Sequence, residues 1–122
     1  MSFEVEPLFR GTTIDTSVLT SFPAIAEQRV AQILAGEAED YPIYRFFDYL
    51  RDPNPTPEAL TWISFTTRAK AIAARLQQLC ERGDRVVVMM SQNLDYITGF
   101  FAPFFGGQIA IPAFSPTEPA HA

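Results

Sequence analysis

Apolar and polar positions follow two rhythms along this chain, and the clearest change of rhythm lies between residues 83 and 114. Residues 85–90 (RVVVMM) are mostly apolar and rich in β-branched side chains, which predicts a strand. Ser91, Gln92 and Asn93 form a polar turn. Between 94 and 105 the apolar positions Leu94, Ile97, Phe101, Phe104 and Phe105 recur at helical spacing. Gly106-Gly107 is a helix stop signal. Residues 109–114 (IAIPAF) then predict a second apolar strand. Strand, helix and strand make a βαβ unit, with parallel strands and a right-handed crossover. Both strands are apolar nearly throughout, which predicts cover on both faces. The expected fold class is α/β, with an incomplete doubly wound sheet and its βαβ unit at 85–114.

Upstream the pattern is weaker. Residues 1–20 show no clear period, and Gly11, Thr12, Thr13, Asp15, Thr16 and Ser17 predict a loop or an extended arm. Ser21 can cap a helix that carries Pro23 in its first turn and ends at Gly36. Phe22, Ile25, Val30, Ile33 and Leu34 form its apolar stripe. Residues 41–50 (YPIYRFFDYL) are aromatic and β-prone, predicting a strand. Three prolines between 53 and 57 force an exposed loop. Residues 59–62 resume as a short antiparallel strand. Thr61 can cap the next helix, 62–79, with Phe65, Ala69, Ile72, Ala73, Leu76 and Leu79 on its apolar face and Arg68, Lys70, Arg75 and Gln78 on its wet face. Ser64 stands where a capping box takes Glu or Gln, so the box reads as incomplete. Pro103 conflicts with the last helix: it removes a backbone donor and crowds the Gly99 carbonyl, at about 3 kcal/mol in a helix interior. The helix kinks there or finishes in a tight turn.

Composition narrows the class. The chain has 122 residues, 48% of them hydrophobic, which suits one small globular domain at most. Eleven Phe suggest a core made for large partners. A net charge of −5 argues against a nucleic-acid or anionic-membrane surface. One Cys (Cys80) allows no internal disulfide and fits a reducing compartment. The first residues are acidic and lack an apolar leader, and no apolar run approaches the ~20 residues of a membrane span. A cytoplasmic protein without a transmembrane segment is expected.

Little chemistry is written into the residues. There is no Walker loop, GxGxxG, GxSxG or HExxH motif. Cys80 and His121 stand far apart, which disfavours a metal site. Glu4/Glu6 and Glu37/Glu39/Asp40 read as solvated acidic loops, and Arg82-Gly83-Asp84 as a plain turn. Ser91-Gln92-Asn93 lies at the carboxyl end of a strand and before a helix, where open α/β sheets bind ligands and helix N-termini favour anions. The alternative is that one of these residues only caps the helix.

Taken together, YRFFDYL, ALTW, RAKAIAARLQQL and GDRVVVMMSQNLDYITGFFAPFFGGQIAIPAF resemble the N-terminal end of adenylate-forming ligases, and most of all the fatty-acyl-AMP ligases that feed polyketide synthases. The matching residues are Leu60-Thr61-Trp62, Ala74-Arg75-Leu76-Gln77, Gly83-Asp84-Arg85-Val86, Asn93-Leu94-Asp95-Tyr96 with Phe100-Phe101, and Ile109-Ala110-Ile111-Pro112. Pro103 departs from the helix-compatible residue usual in the family. The resemblance covers about residues 20–122 and implies that 21–122, after the arm read at 1–20, are part of the N-terminal subdomain of an AMP-binding (adenylation) domain. It implies an enzyme that activates a fatty acid with ATP and Mg²⁺ to an acyl-adenylate, then passes the acyl group to an acyl carrier protein or polyketide synthase. The phosphate loop, the adenine and ribose contacts and the catalytic Lys of the family have no counterpart here. No catalytic, cofactor-binding or metal-binding residue is therefore carried over, and the 122 residues alone are expected to be inactive and to need the rest of a ligase chain. The alternatives are a stand-alone docking module and a fragment of a general fatty-acyl-CoA synthetase.

Overall fold

The computed structural model describes residues 2–4, 13–15, 21–91 and 93–113. Within the expected arm, β1 (Ser2–Glu4) and β2 (Thr13–Asp15) pair antiparallel, with Phe3 opposite Ile14. Gly11, Thr12, Thr16 and Ser17 lie outside the described residues. The order then runs α1 (Phe22–Leu34), β3 (Pro42–Phe46), β4 (Glu58–Thr61), α2 (Trp62–Leu79), β5 (Arg85–Val88), α3 (Leu94–Gly106) and β6 (Ile109–Pro112).

The βαβ unit is present. β5 and β6 are parallel, with Arg85 beside Ile109, Val86 beside Ala110, Val87 beside Ile111 and Val88 beside Pro112. Both strands are shorter than expected: Met89 and Met90 lie beyond the pairing, and Phe114 is outside the described residues. The Ile109 amide donates to the Asp84 carbonyl at 2.8 Å and the Ala113 amide to the Val88 carbonyl at 3.0 Å. Amides at 109 and 113 thus point toward β5. Alternation sends position 112 the other way, so the donor that Pro112 lacks costs this ladder nothing.

α3 continues past Pro103, whose carbonyl accepts from the Gly107 and Gln108 amides, each at 2.9 Å. Gly106 is the last helical residue, and Gly107 ends the helix in the left-handed region at φ 87°. Arg82-Gly83-Asp84 is a turn, as expected: Gly83 has φ 85°, and the Asp84 carboxylate accepts from the Glu81 amide at 2.8 Å.

β3 and β4 pair antiparallel, with a bulge between Pro42 and Tyr44. The strand expected over 41–50 ends at Phe46, because the Arg51 and Asp52 amides both turn back to the Asp48 carbonyl. Leu60 of β4, Phe65 of α2 and Leu94 of α3 form the buried centre, and Phe22, Ile43, Tyr44, Phe46, Ile97, Phe101 and Phe105 pack around it. The rings meet mostly at steep angles, such as Phe65 and Phe101 at 5.5 Å between centroids and 76° between planes.

The helix stripes are only partly buried. In α2, Phe65, Thr66, Ala69 and Ala73 are buried, whereas Ile72 and Leu79 of the expected apolar face are exposed. In α1 the buried residue is Ala26, while Ile25 and Leu34 are exposed. Lys70 of α2 meets Glu27 of α1 at 2.6 Å, with both side chains about half exposed, so the pair adds no more than about 1 kcal/mol.

Candidate functional site

The carboxyl end of β5 and the amino end of α3 are where the sequence places a possible ligand site. Asn93 is the N-cap of α3. Its side-chain oxygen accepts from the Asp95 amide at 2.9 Å and from the Tyr96 amide at 3.2 Å. These are two of the donors a bound anion would use, and Asp95 adds a negative charge to the first helical turn. Capping is therefore the role the geometry gives Asn93. Ser91 is exposed and lies before the cap, and Gln92 is outside the described residues.

Beside this helix end lies an open cleft of about 390 Å³ between β3 and α3, lined by Tyr44, Arg45, Phe46, Asn93, Leu94, Tyr96 and Ile97. Its walls are aromatic and aliphatic, and Arg45 supplies the positive charge. The sequence names most of these residues as strand or helix positions. It does not show that the two segments face one another, because that juxtaposition is tertiary.

Other polar residues work at helix ends. Thr61 and Ser64 form a complete capping box, a correction to the sequence reading. The Thr61 amide donates to the Ser64 hydroxyl at 2.9 Å, and the Ser64 amide to the Thr61 hydroxyl at 3.2 Å. Serine's short side chain can close the box that Glu or Gln usually closes. Asp40 is a second correction: it is not merely a solvated loop residue, since its carboxylate accepts from the Ile63 amide at 3.1 Å. At the far end of α3, the side-chain amides of Gln77 and Gln108 both donate to the Gly106 carbonyl, at 3.2 and 2.9 Å. Cys80 is the C-cap of α2 and is half-buried. Among the described residues no three of His, Cys, Asp and Glu gather as a metal site would require. His121 and Glu6 lie outside them, and Glu4 falls in β1.

No protein-family profile matches the chain. Individual proteins do. Over 78 residues the sequence is 47% identical to the long-chain-fatty-acid–AMP ligase FadD32 of Mycolicibacterium smegmatis, a match covering 64% of this chain and 12% of that protein. Homologues of the chain are thus fatty-acyl-AMP ligases. The chain is also 35% identical over 114 residues to the 4-hydroxyphenylalkanoate adenylyltransferase of Mycobacterium marinum, covering 89% of the chain and 18% of the relative. The chain spans between about a tenth and a fifth of the length of these curated relatives. Its fold matches the crystal structure of a fatty acid AMP ligase from Legionella pneumophila, with a TM-score of 0.65 over 84% of this chain and 16% of that one, at 24% identity. It also matches the N-terminal subdomain of Klebsiella oxytoca NpsA, with a TM-score of 0.56 over 82% of this chain and 23% of that one, at 18% identity. The mixed α/β arrangement is accordingly a fold shared with these two structures. Among the described residues, no helix of the chain is long and apolar enough to cross a membrane.

Proposed function

We propose that residues 21–122 are part of the N-terminal subdomain of an enzyme that activates a fatty acid with ATP and Mg²⁺ to an acyl-adenylate and hands the acyl group to an acyl carrier protein or polyketide synthase. The arm at 1–20 precedes that subdomain, and the enzyme works in the cytoplasm. The observation that carries this reading is the 47% identity over 78 residues to a long-chain-fatty-acid–AMP ligase.

The 122 residues contribute scaffold rather than chemistry. Adenylation needs the triphosphate held and its charge neutralised by clustered donors and a metal ion. The sequence has no phosphate-loop motif to supply them, and the N-terminus of α3 is occupied by Asn93 and Asp95. The activity belongs to the assembled ligase. Fatty-acid-dependent exchange of pyrophosphate into ATP tests this. The chain alone should give no exchange above a boiled control, and its co-expression with the body of a related ligase lacking the matched segment should restore exchange. Exchange by the chain alone, or none from the assembled pair, would defeat the reading.

A further inference from the structure

The parallel pair β5–β6 has two faces of different fate. Neighbours in a parallel ladder point to the same side, so Val86, Val88, Ala110 and Pro112 share one face and Arg85, Val87, Ile109 and Ile111 share the other. α3 covers the first except at its carboxyl end, where Pro112 is exposed. Val88 is buried, and a side chain on Gly99 of α3 would come within 3.9 Å of it. The second face has no such cover among the described residues: Val87 is 56% exposed, Ile109 49% and Ile111 38%. Met89 follows Val87 by two positions and is also exposed.

Parallel strands occur almost only with both faces covered, because crossover helices lie on each side. The relatives supply far more polypeptide than this chain, which spans 12% of the first of them. We infer that the Val87–Ile109–Ile111 face is the docking surface for a helical layer of the ligase body outside these 122 residues, an inference that rests on the function proposed above. The occupant is an amphipathic helix. Its apolar stripe crosses Val87, Ile109 and Ile111, and it offers an acidic or carbonyl acceptor to Arg85, which stands exposed at the amino end of the same face.

The test co-expresses the tagged 122-residue chain with Mycolicibacterium smegmatis FadD32 from which the 78 matched residues are deleted, and measures the ligase body recovered with the tag. The wild-type chain should capture it. Val87→Lys with Ile109→Lys should cut capture at least about tenfold, since two ammonium groups would lose water on docking. Leu34→Lys, a charge at a site 75% exposed on α1, should leave capture unchanged. Ile111→Cys, read by peptide mass after maleimide treatment, should label in the free chain and be protected in the complex. Thermal melts of the free variants check that each still folds. Capture that survives the double substitution, with Ile111→Cys still labelled, overturns this inference and leaves the proposed function standing. Absence of capture by the wild-type chain overturns both. A stoichiometric dimer that persists beside the ligase body and is abolished by the double substitution makes a second copy the occupant, and also overturns the inference.

Discussion

The Asp40 carboxylate accepts a hydrogen bond from the Ile63 amide at 3.1 Å, across 23 residues of sequence. Together with the Thr61–Ser64 box it takes up the Thr61, Ile63 and Ser64 amides at the start of α2, the helix that carries Phe65 into the core. Asp40→Ala should lower stability by about 1 kcal/mol, as loss of an N-terminal cap does, and Asp40→Asn by less because the amide oxygen still accepts. Urea denaturation checks this. The midpoint should fall for Ala with an unchanged slope, and an unmoved midpoint would remove Asp40 from the account of α2.

Pro103 is expected to be a net burden on α3. Replacing it by Ala restores a helix hydrogen bond and relieves a clash, together about 3 kcal/mol. The ring is fully buried, so two lost methylene equivalents return about 1.6 kcal/mol, and the freer unfolded chain a further ~0.4–1 kcal/mol. The gain terms win narrowly. Pro103→Ala should raise the denaturation midpoint by the equivalent of under about 1 kcal/mol. A clear fall would mean that the ring's packing outweighs the helix defect.

Gly107 tests the other end of the same helix. Its φ of 87° disfavours any L side chain, although an added Cβ would meet nothing nearer than the Arg82 Cγ at 3.5 Å. Gly107→Ala should therefore destabilise by about 1 kcal/mol through backbone strain alone. Thermal melting of this variant would show no loss if the turn could relax to a negative φ.

The free chain should be adhesive. Phe104 is 46% exposed, and with Val87, Ile109 and Ile111 it leaves apolar surface open on both the helix and the sheet side. Burying one such side chain is worth roughly 1.5–3 kcal/mol, a sizeable share of the roughly 5–15 kcal/mol that holds a small domain together. Binding of a hydrophobic dye and light scattering that rises with concentration are expected, and both should be suppressed by the ligase body. A compact monomer with sharp melting and no dye signal would favour the stand-alone module instead.

These elements differ in how legible they were. The βαβ unit could be read because an apolar run, a polar turn and a double glycine all act locally. The caps at Ser21 and Thr61 could be read for the same reason, and the turn 91–93 could be read as able to hold a cap without fixing it on Asn93; each cap takes the amide of a residue two or three positions on. Asp40 could not, since its partner is distant in sequence. Periodicity placed Ile72 and Leu79 on the apolar face of α2, yet both are exposed. A stripe shows which side chains would gain from burial, and it cannot show whether these residues supply anything to bury them. The same limit applies to the cleft beside Arg45, whose two walls meet only after β3 and α3 have packed on Leu60 and Phe65.

The irregularity in β3 sets how the strand would answer a change in length. Pro42 pairs with Thr61 and Tyr44 with Leu60, so Ile43 has no partner of its own, and Ile43 and Tyr44 both pack on the core although they are consecutive. Excising Ile43 would merge two steps into one and leave Tyr44 and Phe46 in phase with β4, at the cost of a single apolar contact. Excising Arg45 has no such refuge. It would put either Tyr44 or Phe46 out of phase, and send an aromatic ring that now lines the core into water.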